Sequence, residues 1–268
     1  MTSEIDYQDY QQALQFEQRI TSSTALQSLA SLLIELLNPQ ETQKVLDVGT
    51  GTGRLGMMLS HRIPKGAIVG IDSGYGMLKV AREKVSASAI NNFFLVRGRA
   101  ENLPFRPQSF DSACLMLSFH HFSNPERALL EIYQVLKSEG QLVSLDPVLK
   151  EPLDEEERRL NESIEEDFQL AHGPQFRFFT AGELPQLYER AGFYIASRQT
   201  HHFPFQQRGI EGIPMGVHWL QAYESLRFRK EKDLIAKFRK NYFTFAEKEG
   251  QLVVKGEMSW LAIKATKR

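Results

Sequence analysis

The stretch that most restricts how this chain can fold is residues 45–53, Val-Leu-Asp-Val-Gly-Thr-Gly-Thr-Gly. A short apolar run with one embedded acid closes on alternating glycines and is followed by Arg-Leu-Gly-Met-Met-Leu-Ser, which reads as a buried strand turning into a helix. Gly49, Gly51 and Gly53 tolerate backbone angles that a Cβ would forbid and bring main-chain N–H groups close to a bound molecule. An ionised Asp47 inside a buried strand must be hydrogen-bonded or paired, so it braces the glycine loop or meets a cationic part of a ligand. Gly51, Gly53 and Gly56 also spell G-x-G-x-x-G, with Asp72 sixteen residues further on, close to the dinucleotide fingerprint. Counting from Gly49 instead puts Arg54 at the third position, where a side chain obstructs close helix packing. The loop alone leaves open both a nicotinamide or flavin site and a nucleoside-type ligand without pyrophosphate.

Short apolar runs alternate with helical patterns from Val45 onward, the signature of a parallel, doubly wound sheet. Strands are expected near 44–48, 67–72, 93–96, 110–117, 140–146, 193–200 and 258–265, and helices near 53–62, 76–86, 125–136 and 181–191. Ahead of them, residues 4–20 form an aromatic amphipathic helix. A leucine-rich helix follows, capped within 22–24 and stopped by Asn38-Pro39. Both pack on the sheet, with the aromatic one a candidate to fold over a ligand. The 268 residues suffice for one large α/β domain with insertions. A net charge of −1 with 42% hydrophobic residues points to neither a nucleic-acid binder nor a disordered chain. Cys114, the single cysteine, excludes an internal disulfide and any multi-cysteine metal site. The polar, acidic first residues do not resemble a signal peptide, and no apolar run reaches membrane-spanning length, so the expected location is cytoplasmic.

Further motifs follow in order. The second strand ends Gly-Ile-Asp at Asp72, and after four intervening residues come Met77-Leu78 and then Ala81-Arg82. Then come Ala-Glu-Asn-Leu-Pro-Phe from Ala100, Phe-Asp at 110–111, and His120-His121. This ordered set resembles the class I S-adenosylmethionine-dependent methyltransferases, closest to the ubiquinone and menaquinone C-methyltransferase branch. Residues 136–142 and 180–193 are similar to that family's approach to strand five and its last helix and turn. The resemblance implies a Rossmann-like α/β fold, doubly wound, of seven mostly parallel strands with the last antiparallel, carrying helical cap insertions. It implies S-adenosylmethionine as cofactor, with Gly49, Gly51 and Gly53 near the methionyl part and Asp72 on the ribose hydroxyls. Met77 would pack on adenine, the backbone around Ala100 would reach the adenine edge, and Leu117 would close over the nucleoside. Asp47, Thr50, Ser73 and Glu101 complete the expected set. Arg99 stands where the family usually has an acid on the adenine amino group, so Glu101 substitutes or the contact is lost. Gly74 and Gly76 also replace the usual polar helix cap.

Methyl transfer from a sulfonium needs alignment and water exclusion more than covalent help, which leaves catalytic residues without a motif. His120, His121, His202 and His218 are candidates for a base, and Asp146 faces the same crevice; no metal site is expected. The acidic run 151–167 and the basic run 226–240 read as solvated helix faces, the basic one with a membrane surface or phosphorylated substrate as the alternative. Aromatic residues crowd 203–250, which suggests a helical cap over the acceptor pocket and a bulky, largely apolar acceptor. The chain thus divides into an N-terminal helical cap (1–40), a cofactor-binding core (41–202), the cap insertion (203–250) and a final core strand (251–268). The expected partner is a small-molecule acceptor, with no nucleic acid and no stable membrane insertion; the oligomeric state is not readable. A cofactor-binding protein without transfer activity is the competing reading, and a nicotinamide enzyme a third.

Overall fold

The computed structural model describes residues 6–21 and 23–268; the expectations placed on Glu4, Ile5 and Ser22 lie outside them. The central strand, β1 (Lys44–Val48), is buried at every position after Lys44, as a strand covered on both faces of a parallel sheet must be. It pairs in parallel with β2 (Ala67–Asp72) on one side and β4 (Phe110–Met116) on the other. Beyond β2 lies β3 (Phe93–Arg97), and beyond β4 lies β5 (Leu136–Leu149). Two long strands, β7 (Phe193–Arg208) and β9 (Gln251–Lys267), complete the order β3-β2-β1-β4-β5-β9-β7, with β9 antiparallel to both neighbours. Two more, β6 (Phe179–Thr180) beside β5 and β8 (Phe243–Lys248) beside β9, bring the total to nine rather than the expected seven. Of these, β8 arises because β9 runs past the sheet edge as a ribbon to which it returns, whereas β6 is a two-residue strand against the end of β5.

Helices cover both faces. On one side α5 (Pro125–Val135) and α7 (Glu183–Arg190) bury Leu129, Ile132, Leu184 and Tyr188 against β4, β5 and β7. On the other, α2 (Thr24–Leu37) lays Leu29, Leu33 and Leu37 on the sheet with α3 (Arg54–Ser60) beside it. Ser23 caps α2 by accepting from the Leu26 N–H, Asn38 ends it in the left-handed region, and Lys264 Nζ donates to its Leu36 carbonyl (2.9 Å). On this face α6 (Glu155–His172), α8 (Gly216–Phe228) and α9 (Lys232–Asn241) share the same core, where Phe168, Trp219, Tyr223, Phe238 and Phe243 meet Trp260 of β9. The two charge runs face each other: Lys237 of α9 pairs with Asp154 (2.6 Å) and Glu156 (3.4 Å), and Arg229 approaches Asp167 (3.9 Å). Among the described residues no single helix is long and apolar enough to cross a membrane.

Candidate active site

At the carboxyl ends of β1, β2 and β4 the chain leaves a cavity of about 1150 Å³. Such a crevice is where ligands of open α/β sheets bind. Three layers line it: the loops after the strands, the N-terminal helix α1 (Tyr10–Thr21), and residues 210–218 of the insertion.

The glycine loop makes the floor. Gly49, Gly51 and Gly53 all have positive φ (71°, 54° and 80°). A Cβ built on Gly51 meets nothing within 4 Å, so that position opens into free space, whereas one on Gly49 would strike Ser118 Cβ at 2.4 Å. Four of the loop's N–H groups are engaged internally. Those of Gly49 and Thr50 donate to the Ile71 carbonyl (2.8 and 3.0 Å), that of Gly53 to the Thr50 carbonyl (2.9 Å), and that of Gly51 to Asp72 Oδ2 (2.8 Å). At these four positions the loop offers close approach rather than free donors. Gly53 is absent from the cavity wall, since Ala81 and Phe93 pack against it. Gly56 is likewise a packing glycine, because a Cβ there would lie 2.2 Å from the Phe93 ring. Arg54 turns its guanidinium to the Ile20 carbonyl (2.8 Å), tying α1 to the loop.

The two buried acids differ in role. Asp47 accepts from Thr50 Oγ1 (2.6 Å) and lies 3.7 Å from Cys114 Sγ, bracing the loop from behind while still lining the cavity. Burial pushes its carboxyl up to about 6, against the lowering effect of the Thr50 and Cys114 bonds. Cys114 is buried, and burial followed by the Asp47 charge holds its thiol well above the ordinary value. Asp72 accepts from the N–H groups of Gly51 and of Gly74 (2.7 Å), and burial raises it despite these bonds. Each of its oxygens keeps a lone pair for a further donor.

Ser73, Met77, Ala100 and Leu117 also line the cavity, Leu117 in the left-handed region at φ 54°. Arg99 and Glu101 sit at its rim, paired with each other at 3.4 Å. Arg99 Nη2 donates to Ser123 Oγ (2.7 Å), while Glu101 accepts from the N–H groups of Ser123 and Asn124 (2.9 and 3.3 Å). Burial opposes ionisation of Glu101, but its own N–H, Ser123, Arg99 and Asn124 together hold the carboxyl below the usual range. Gly74 and Gly76 have a role not visible in the sequence. A Cβ on Gly74 would strike the Tyr7 carbonyl (2.8 Å) and one on Gly76 the Asp9 carbonyl (2.4 Å), so the missing side chains let residues 7–9 cross directly against the start of α4 (Tyr75–Ser86).

Opposite the loop lies a group of imidazoles. His120 Nδ1 is hydrogen-bonded to Asp146 Oδ1 in a fully enclosed contact, and Asp146 Oδ2 accepts from the Phe119 N–H (3.2 Å). Tyr7 Oη lies 3.0 Å from His172 Nδ1 and 3.5 Å from His121 Nε2, and His172 Nε2 lies 3.2 Å from His218 Nδ1. Burial, then the neighbouring imidazoles, hold His121 well below the ordinary imidazole value. Burial and then His218 hold His172 down to about 3, and burial with the Arg19 charge holds His218 down to about 4. These three rings are therefore neutral at physiological pH. No three His, Cys, Asp or Glu side chains are placed to hold a metal among the described residues.

Of the four histidines that the sequence offers as a base, the cavity brings together His120, His121 and His218, and His202 stands outside it beside Ser259 and Glu257 of β9. His172 is not among them, since it ends an acidic helix with no motif around it. The insertion's aromatic residues, from Phe203 through Phe245, are absent from the wall; apart from the exposed Phe228, they pack in or against the core beneath α6, α8 and α9. The apolar wall comes instead from Phe16, Ile20, Leu26, Met116, Ile213 and Met215.

Residues 46–144 match the methyltransferase domain family. The matched stretch runs from β1 into β5 and contains the glycine loop, Asp72 and His120, ending two residues before Asp146. A demethylmenaquinone methyltransferase of Thermotoga maritima is 38% identical over 114 residues, 42% of this chain and 48% of the relative. The chain thus spans about half the length of the curated relatives it matches. The crystal structure of the YcgJ protein from Bacillus subtilis superposes with a TM-score of 0.70 at 22% identity, covering 90% of this chain and 99% of that one. The [4+2]-cyclase SpnF superposes at 0.60 with 19% identity, covering 92% and 84%. At these identities the structural likenesses establish the Rossmann-like fold.

Proposed function

We propose that the protein transfers a methyl group from S-adenosylmethionine to a small organic acceptor held in the same cavity. The observation that carries this reading is the floor of the cavity: a glycine loop open at Gly51, with the N–H groups of Gly49, Thr50, Gly51 and Gly53 engaged internally, beside the buried carboxylate of Asp72. That arrangement suits a nucleoside whose ribose hydroxyls donate to Asp72 and whose linker carries no phosphate. The domain match to methyltransferases, and a relative named for methylating demethylmenaquinone, support the same donor and a small acceptor. When bound, the donor supplies an activated methyl group on a sulfonium. The chain's residues would do the rest: Asp72 would hold the sugar, Asp47, Gly49, Thr50, Gly51 and Ser73 the methionyl and ribose surroundings, and Met77, Ala100 and Leu117 the base. Gly53 would act from behind the wall by setting the loop's shape. Tyr7, Phe16 and Ile20 of the N-terminal segment would exclude water, which lets in-line displacement proceed at near-attack distance.

One observation favours a second reading, a cofactor-binding protein without transfer. Arg99 at the rim is fixed on Ser123 and brings a positive charge where an adenine amino group would sit. Calorimetry with S-adenosylmethionine and S-adenosylhomocysteine separates the outcomes. Binding is expected for both, weakened at least about tenfold by Asp72→Ala through loss of charge-assisted hydrogen bonds. Absence of binding to either ligand overturns the donor assignment, and unchanged affinity in the variant misplaces the site.

A further inference from the structure

Resting on the methyl-transfer reading, we infer that the acceptor is a largely apolar carboxylic acid, anchored through its carboxylate between the Arg19 guanidinium and the Nε2–H of His218. Hydrogen-bond direction decides the second of these donors. Burial pushes the Tyr7 phenol well above its usual value, so Tyr7 has one proton to give. His172 Nδ1, at 3.0 Å, lies nearer to that oxygen than His121 Nε2, at 3.5 Å, and takes the proton. A neutral imidazole carries a single N–H, so the His172 proton sits on Nε2 and is donated to His218 Nδ1 (3.2 Å). His218, neutral as well, therefore keeps its own proton on Nε2. The reverse order would make an N–H of His121 Nδ1, an atom that is buried without a partner. An orphaned lone pair is tolerated there more readily than an orphaned donor. His218 is 7% exposed and lines the cavity, yet its Nε2 finds no acceptor among the described residues. The relay ends on a buried donor that the protein itself leaves unanswered.

Arg19 adds charge to that donor. Among the described residues lining this end of the cavity, within 15–26, 172–175 and 210–218, it is the one with a permanent positive charge. It is exposed on α1, and its charge acts on Tyr7, His172 and His218 alike. A cation beside an N–H without an acceptor is a surplus of positive potential, which a carboxylate relieves and an ammonium worsens.

Two acids at the cavity's edges bear on an amine instead, and neither accepts from His218. Glu101 is engaged by Arg99, Ser123 and Asn124 at the rim. Glu211, exposed at the mouth, folds back on its own turn, since a Cβ on Gly209 would lie 2.1 Å from its Oε2. One cation with a carboxylate at the mouth matches a single negative charge rather than the two of a phosphate monoester. The wall beside it is apolar, with Phe16, Ile20, Leu26, Ile213 and Met215, which suits a hydrocarbon or aromatic body.

Binding is measured by calorimetry on the S-adenosylhomocysteine complex with three ligands that share one apolar body: 2-naphthylacetate, 2-naphthylacetamide and 2-(2-naphthyl)ethylamine. The acid should bind at least about tenfold tighter than the amide or the amine, as charge-assisted hydrogen bonds require. Arg19→Gln should remove most of that preference while the amide and S-adenosylhomocysteine bind as before, and Arg19→Lys should restore part of it. Glu211→Gln should leave the acid bound as tightly or more so. Nitrogen-15 resonances of the wild-type protein, which need no variant to fold, should show His218 protonated at Nε2 and bare at Nδ1, with the Nε2 proton moving downfield when 2-naphthylacetate binds. The inference is overturned by equal affinity for acid and amide, by an amine that binds best or is lost in Glu211→Gln, by an acid indifferent to Arg19→Gln, or by the opposite tautomer. Tighter binding of 2-naphthyl phosphate than of the acid overturns the single-charge anchor. A protein that fails to bind S-adenosylhomocysteine sinks the methyl-transfer reading beneath, while preference for the acid, measured on the free protein, keeps the anchor or removes it.

Discussion

Two glycines five positions apart, Gly51 and Gly56, answer to different physics. Gly51 faces open space and Gly56 faces the Phe93 ring. Gly51→Ala should therefore fold, at a cost of about 1–2 kcal/mol for an alanine at φ 54°, yet lose donor affinity because its methyl group enters the cavity. Gly56→Ala should do the reverse, losing about 1–3 kcal/mol through overpacking while the folded fraction keeps its affinity; thermal melts and calorimetry on both variants read this out. Asp47 supplies a pH dependence whose sign follows from its raised carboxyl, near 6 in the free protein. Above that pH it is ionised and attracts a cationic donor; below it the carboxyl is neutral. Affinity for S-adenosylmethionine should then fall about tenfold between pH 7 and pH 5, and Asp47→Asn should flatten the curve. Asp72 was legible in sequence because an acid ending an apolar run has few other reasons to be there. His172 was not, because its partners Tyr7 and His218 are distant in the chain and only the fold brings them together.

Among elements, the N-terminal segment is held over the cavity mostly by polar hooks. Glu17 of α1 bonds Thr52 and Lys84, Tyr10 Oη donates to Glu83 (2.7 Å), and Gln8 reaches Ser73, Tyr75 and Arg97. Its apolar footing on Met77 and Val80 is small. The crossing at Gly76 is then its tightest point, and Gly76→Ala, whose methyl would lie 2.4 Å from the Asp9 carbonyl, should lift it. Faster amide exchange over residues 6–21 and a faster ligand off-rate, with the melting temperature little changed, are the expected signs. The strands and helices of the core were readable from apolar periodicity because each is covered on one or both faces by its own neighbours. β8 was not, since its pairing depends on β9 extending past the sheet, a tertiary fact with no local pattern. The charge runs were readable as helix faces, but not that they neutralise one another across α6 and α9.

For the molecule as a whole, sheet and insertion share one core. Trp219 and Phe238 of the insertion pack with Phe168, and Trp260 of β9 belongs to the same cluster as the leucines of α2. Heating should give a single cooperative transition, with fluorescence of Trp219 and Trp260 and far-ultraviolet ellipticity coinciding, and replacement of residues 209–250 by a short turn should abolish soluble expression. Two separated transitions would show the insertion to be an independent unit. The crossing of residues 7–9 in front of Gly74 and Gly76 has a consequence for turnover. Tyr7 reaches from that crossing onto the cavity wall beside Met77, so a bound nucleoside packed under it should be released slowly, and protein isolated from cells should arrive already carrying demethylated donor.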